Sequence, residues 1–300
     1  HTKGDPYVIS HLLSFTSMEE RLNFTAALEF VIGRHDVLRT CVLSDGFTQP
    51  VQVVLREVDL PLEELSLDSD KEILAQIRKE TASDNLWMDL SKAPMLQVKL
   101  ADDIANGAFY LILNFHHLII DHLGLEKVEK EVRSYLSGQS SAIPKPALYR
   151  DFVGHALNAD KIAQSKEYFS GIFGEIESPT YPFNLCDTKI DGSAQMVTSR
   201  ANLSAELRDE LREVSGDLKV SPAVLFHAAF GLVVGRCSNS DYALFGSVLL
   251  GRLQGSKGSE SSLGLFMNTL PVLLNLKGEI SDYISHTSEY LQELLNYEQT

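Results

Sequence analysis

Between Leu111 and Glu126 the chain reads LILNFHHLIIDHLGLE, an apolar run that carries two histidines and an aspartate to its far end and then turns amphipathic. Phe109 to Phe115 is apolar at both alternating sets of positions apart from Asn114, the pattern of a strand buried on two sides. Downstream, Leu125, Val128, Val132 and Leu136 recur at helical spacing until Gly138, which can terminate a helix. The segment is thereby held to strand, turn and helix, with His116, His117 and Asp121 in the turn. Imidazole is the side chain best suited to moving protons near neutrality, so two histidines at the buried mouth of such a turn mark a candidate active site.

Each of these residues also has a plainer use. Asp121 can cap the helix that follows by accepting hydrogen bonds from its first amide groups. If the strand ran on through both histidines, His116 and His117 would face opposite ways, one into the core and one into a cavity. A metal site would need His117 and Asp121 on one helical face with His122 beside them. The segment holding His117 reads as strand and turn, so no metal is expected.

The rest of the chain divides into two similar halves. Met18 to Gly33 has a helical pattern and leads into a strand around Leu38 to Val42; Gln49 to Val58 reads as a strand, and Ser69 to Asp84 as a charged helix with Ile73, Leu74 and Ile77 inward. After a Ser/Pro-rich break at Ser137 to Pro146 comes a helix from Tyr149 to Phe169. The stretch from Gly171 to Gln195 has few periodic signals, and the crossover is placed there, giving lobes at 1–172 and 173–300. The second half begins with a short strand near Met196 and a helix capped by Ser204. A helix from Ser221 to Arg236 follows, with Val224, Leu225, Ala228, Ala229, Leu232 and Val233 expected inside. Strands at Ala243 to Leu250 and Asn268 to Leu276 flank a Gly/Ser-rich loop, and Tyr283 to Tyr297 reads as an amphipathic helix.

Charge and cysteine content narrow the function classes. A formal net charge of −15 disfavours nucleic-acid and anionic-membrane partners, because phosphates would be repelled overall. Cys41, Cys186 and Cys237 are odd in number and widely spaced, with no zinc-type pattern, as expected of reduced thiols in a cytoplasmic compartment. No charged-then-apolar leader and no long apolar run is present, so neither a signal peptide nor a membrane span is expected.

Six ordered segments together resemble the condensation domains of nonribosomal peptide synthetases, within the chloramphenicol acetyltransferase-like superfamily. They are RHDVLRT (34–40), WMDLSKAPMLQVKL (87–100), HHLIIDH (116–122), YRDF (149–152), DYALFGSVLLGR (241–252) and LGLFMNTLP (263–271). The resemblance covers nearly the whole chain. It implies an α/β fold of two chloramphenicol-acetyltransferase-like lobes, a V-shaped pseudo-dimer with the active-site channel at the interface. It also implies that a leading strand precedes His1 and that the second lobe continues past Thr300.

The activity so implied is amide-bond formation between an upstream carrier-bound acyl or peptidyl thioester and the amine of a downstream carrier-bound aminoacyl thioester. His117 is assigned to positioning the amine and accepting its proton, and His116 to fixing the turn. Asp121 is assigned to an ion pair with Arg252, and Asn268 to the oxyanion or the pantetheine arm, with a turn-forming role as its plainer alternative. No cofactor is bound on this reading; substrates arrive on the 4'-phosphopantetheine arms of peptidyl carrier proteins, next to an adenylation domain. His122 stands where the family's HHxxxDG motif has glycine, as in a subtype with HHxxxDH. Were a positive φ required there, histidine would adopt it only at a cost. The absence of a GxSxG pattern favours direct attack by the amine over a covalent enzyme intermediate. Two alternatives remain: a non-catalytic docking module for a carrier protein or tailoring enzyme, and another acyltransferase or an epimerising member of the superfamily.

Overall fold

A computed structural model describes residues 4–174, 176, 178–185, 199–252 and 262–299. The chain forms two compact units, unit 1 of His1–His155 with Gly255–Phe266 and unit 2 of Ala156–Gln254 with Met267–Thr300.

Unit 1 is built on strands β1 (Val8–Phe15), β2 (Thr40–Leu43), β3 (Val51–Val54), β4 (Leu62–Glu64), β5 (Leu96–Asp103) and β6 (Ala108–His116), with helices α1 (Met18–Arg34), α2 (Ile73–Glu80), α3 (His122–Leu136) and α4 (Tyr149–Ala156). Its main sheet has the order β1-β6-β5-β4, in which β6 is antiparallel to both neighbours and β4 is parallel to β5. The twofold apolarity of β6 now has its cause. Leu111, Leu113 and Phe115 join the core made with Leu28, Val31, Val128 and Val132 of α1 and α3. Tyr110 and Ile112 face the other way and pack with Ile73 and Ile77 of α2. Full burial of such a side chain is worth about 1.5–3 kcal/mol, so this strand anchors both layers.

Local signals account for most boundaries. Ser17 caps α1, its Oγ accepting from the Glu20 N–H at 3.1 Å, and the Glu20 carboxylate in turn accepts from the Thr16 N–H and hydroxyl. Gly138, at φ +74, ends α3. The expected helix from Tyr149 to Phe169 is in fact two, α4 and α5 (Ala159–Phe173), because Asn158 takes extended backbone and its side chain accepts from the N–H groups of Asp160 and Lys161. Strand β1, absent from the elements read by periodicity, lies at the edge of the sheet beside β6.

Unit 2 holds α5, α6 (Ala205–Asp217), α7 (Pro222–Cys237), the antiparallel pair β7 (Tyr242–Leu249) and β8 (Asn268–Asn275), and α8 (Ile280–Leu294). Ala228 of α7, Leu270, Val272 and Leu274 of β8, and Tyr283 and Leu294 of α8 form its core, where the Tyr283 hydroxyl donates to the Ala228 carbonyl at 2.8 Å. Val224, Leu225 and Ala228 are buried as expected. Ala229 and Val233 are exposed, because α7 shows only one side to the sheet and α8. The strand expected near Met196, Cys186 and most of the Gly/Ser-rich loop lie outside the described residues. Among the described residues, no single helix is long and apolar enough to cross a membrane.

Candidate active site

The strand β6 ends at His116, and the turn that follows is closed by the Ile119 N–H donating to the His116 carbonyl at 3.1 Å. His117 is therefore a turn residue, and alternation along a continued strand does not set its direction. The two imidazoles are fixed in opposite tautomers. In His116 the Nδ1 accepts from the Leu118 N–H at 3.1 Å, so the ring proton sits on Nε2, which faces the Asp5 carboxylate at 3.4 Å. Burial pushes the His116 pKa below the ordinary imidazole value; the Asp5 carboxylate opposes this and His117 adds to it. The His116–Asp5 contact is accordingly that of a neutral ring with a carboxylate.

His117 is held differently. Its backbone N–H donates to the Tyr7 carbonyl at 2.8 Å, and its Nδ1 lies 3.0 Å from the Ile120 carbonyl. A carbonyl can only accept, so Nδ1 carries the proton and Nε2 presents a lone pair. Among the described residues no hydrogen bond reaches that Nε2, and the residue is partly buried. Such a nitrogen can accept a proton from an amine or orient it.

Asp121 is buried, 2% exposed, and one oxygen accepts from the Gly124 N–H at 2.7 Å, so it is the N-cap of α3. His122 is the first residue of that helix. Its ring is 80% exposed and lies 3.3 Å from Glu126 one turn on, and its backbone is not among the left-handed positions of the described residues. The cost anticipated for histidine in place of glycine is thus absent, because a helical N1 position suits any L-residue. The rings and carboxylate of His116, His117, Asp121 and His122 face separate partners, and no group of three His, Cys, Asp or Glu side chains among the described residues converges to hold a metal.

Two distant segments support this turn. The RHDVLRT stretch fastens α1 to α3: Arg34 Nε and His35 Nε2 both meet the buried Glu131 carboxylate at 3.0 Å, and a second Arg34 nitrogen donates to the Pro144 carbonyl. Burial alone would raise the Glu131 pKa, but hydrogen bonds and charge from His35 and Arg34 outweigh it and hold the carboxyl below its ordinary value. Asp36 accepts from the N–H groups of Val37 and Tyr149, and the Tyr149 hydroxyl donates to the Leu265 carbonyl at 2.7 Å. A Cβ on Gly264, at φ +151, would come within 2.1 Å of the Tyr149 ring, so this close approach requires glycine.

The remaining sequence-derived residues belong to unit 2. Arg252 follows β7 after Gly251, and Asn268 opens β8, its side chain accepting from the Thr269 N–H at 2.8 Å and donating to the Glu298 carbonyl at 3.4 Å. What sequence reading missed is Asp5, which binds the Tyr7 N–H and faces His116. Together Asp5 and Tyr7 hold both histidines, one through its ring and one through its backbone.

Comparison with known proteins identifies the class. The family model described as Condensation domain matches residues 1–300, and the chain belongs to that family. It is a condensation domain, and the relatives it matches are synthetases. Malpibaldin synthetase of Mortierella alpina is 33% identical over 299 residues, which is 99% of this chain and 5% of that protein, and malpinin synthetase of the same organism is also 33% identical, over 99% of this chain and 4% of its own length. The chain thus spans only a small fraction of these relatives. The mixed α/β fold matches that of solved condensation-type domains. The epimerization domain from the third module of tyrocidine synthetase B aligns with a TM-score of 0.78 at 17% identity, covering 98% of this chain and 70% of that one. A cyclization-docking bidomain from Sorangium cellulosum aligns with a TM-score of 0.74 at 20% identity, covering 97% and 60%.

Proposed function

We propose that this chain forms an amide bond between an upstream carrier-bound acyl or peptidyl thioester and the amine of a downstream carrier-bound aminoacyl thioester. The observation that carries the reading is the His117 ring, whose Nδ1–H is committed to the Ile120 carbonyl and whose Nε2 is left as an acceptor at a partly buried turn. On this reading the amine is aligned by Nε2 and attacks the donor carbonyl directly. The amine's proton passes to Nε2, and the tetrahedral intermediate collapses with departure of the donor thiol. His116, neutral and held by Leu118 N–H and Asp5, keeps the turn rigid. Asp121 caps α3 and pairs with Arg252, while Asn268 serves as a positioning group. The substrates ride on 4'-phosphopantetheine arms of peptidyl carrier proteins in a cytoplasmic synthetase, and no cofactor of the domain's own takes part.

The same proposal includes the V-shaped arrangement of two chloramphenicol-acetyltransferase-like lobes and the HHxxxDH subtype, both resting on the motif resemblance. The docking-module alternative finds no support at His122, whose ring is solvent-exposed at a helix start. The test is reconstitution with donor and acceptor carrier proteins loaded with aminoacyl thioesters. Dipeptidyl thioester on the acceptor carrier is expected, and carrier binding with no product from any pair tried would establish the docking module instead.

A further inference from the structure

We propose that unit 2 carries a second acyl-handling site, in which Ser247 is a nucleophile activated by His227. The His227 ring projects from α7, and its Nδ1 lies 2.7 Å from the Ala223 carbonyl one turn earlier, so that nitrogen bears the proton. Its Nε2 therefore offers a lone pair, and the Ser247 hydroxyl, 2.7 Å away on β7, donates to it. This is the direction of hydrogen bonding that a base-activated serine needs, with a backbone carbonyl in the place of an orienting carboxylate.

The surroundings make the pair a site. Ser247, 6% exposed as a whole residue, borders two hollows together with His227 and Val248. One, of about 380 Å³, is walled by Val224, Leu249, Leu291 and Leu295; the other, of about 300 Å³, by Phe226, Phe230 and Phe245. Two apolar hollows meeting at one polar pair fit an ester or thioester of an apolar acyl group, its carbonyl at Ser247 and an arm on either side. The strand also supplies a donor for the oxyanion. The Leu244 N–H and carbonyl are turned away from β8 onto the Thr180 hydroxyl, and by the period of two the Val248 N–H points to the same edge, which no other strand of the described residues pairs. It is the amide of the residue after the nucleophile, a position used for this purpose elsewhere.

In the reaction, Ser247 Oγ bonds to the acyl carbon as its proton passes to His227 Nε2. The carbon–sulfur or carbon–oxygen bond of the substrate then breaks, and the thiol or alcohol leaves with that proton. The product is an ester on Ser247, which water can later hydrolyse to the free acid.

The full chain is to be incubated with p-nitrophenyl butyrate and, separately, with the butyryl thioester of N-acetylcysteamine, followed by intact mass and peptide mapping. A single butyryl group on Ser247 is expected, formed at the wild-type rate in His117→Ala and slower by about a hundredfold or more in His227→Gln. Ser247→Ala is expected to fold and stay unlabelled; should it fail to fold, mapping of the wild type and the His227→Gln rate decide the matter alone. Folded wild-type protein without an adduct on Ser247, or labelling of Ser247 unaffected by His227→Gln, overturns the proposal.

Discussion

The turn after β6 in unit 1 and the wall of α7 in unit 2 hold a histidine in the same way and leave it in different company. In each, a backbone carbonyl (Ile120 for His117, Ala223 for His227) takes the Nδ1 proton and frees Nε2 as an acceptor. At His227 that acceptor is met by the protein's own serine hydroxyl at 2.7 Å, whereas at His117 no hydrogen bond from the described residues reaches it. A lone pair left open suits a proton that arrives on a substrate amine; one already matched to a hydroxyl suits a covalent step. Tautomer fixing is thus shared by both places, and the partner of Nε2 decides the chemistry.

The largest effect expected from breaking this comparison is on turnover. His117→Ala should keep its far-UV circular dichroism yet lose dipeptide formation by about a hundred- to ten-thousand-fold, the usual worth of a positioned base. Full activity in a folded His117→Ala chain would remove the lone pair from the mechanism.

Next comes the cap that fixes the turn carrying His117. Asp121→Ala should lower the unfolding free energy obtained from urea titration by about 0.5–2 kcal/mol from the lost N-cap alone, with Asp121→Asn close to wild type because asparagine caps as well. If Arg252 is also its partner, both Asp121→Ala and Arg252→Ala should cost about 3–5 kcal/mol. A double-mutant cycle in which the two losses simply add denies the pairing.

A third effect separates His116 from its neighbour. Folding holds the His116 pKa below the reference value of about 6.5. The unfolded chain therefore binds the proton more readily, and this contribution leaves stability untouched above about pH 6.5 but lowers it as the pH falls through that value. Glu131, also held low, adds a loss only below the ordinary carboxylate range of about 4.3. Urea midpoints measured between pH 7.5 and 5 should fall for the wild type and fall less for His116→Gln; equal slopes would show that the burial of His116 is not coupled to folding.

The smallest effect is expected at His122. Histidine to glycine there removes an exposed contact with Glu126 and adds flexibility at a helix start, worth a few tenths to about 1 kcal/mol. Turnover should be unchanged. A large loss of activity in His122→Gly would mean that the ring meets a substrate or partner, and would draw the site outward along α3.

Much of this arrangement was legible in the residues themselves. The doubly apolar strand, the Asp121 cap, the Gly138 stop and the Ser204 helix start are encoded by side chains within a few positions of one another, so periodicity and capping chemistry read them directly. The helix break at Asn158 is also local, and was missed because an asparagine inside an apolar pattern does not announce whether it caps or is merely tolerated. The histidines, as a pair at the end of a buried strand, were equally visible.

What tertiary structure alone decided is which nitrogen of each histidine carries its proton. Sequence placed His116 and His117 side by side, and only the motif resemblance, not the residues themselves, assigned them different roles. The Leu118 N–H and Asp5 on one ring, and Tyr7 and Ile120 on His117, made one a fixed strut and the other an open acceptor. Asp5 and Tyr7 are brought to the turn by β1 pairing with β6, and His227 meets Ser247 because α7 packs against β7. The chain therefore determined the elements and their chemical inventory, since those depend on neighbours in sequence. Protonation, burial and the pairing of remote polar atoms depend on neighbours in space, and these the fold supplied.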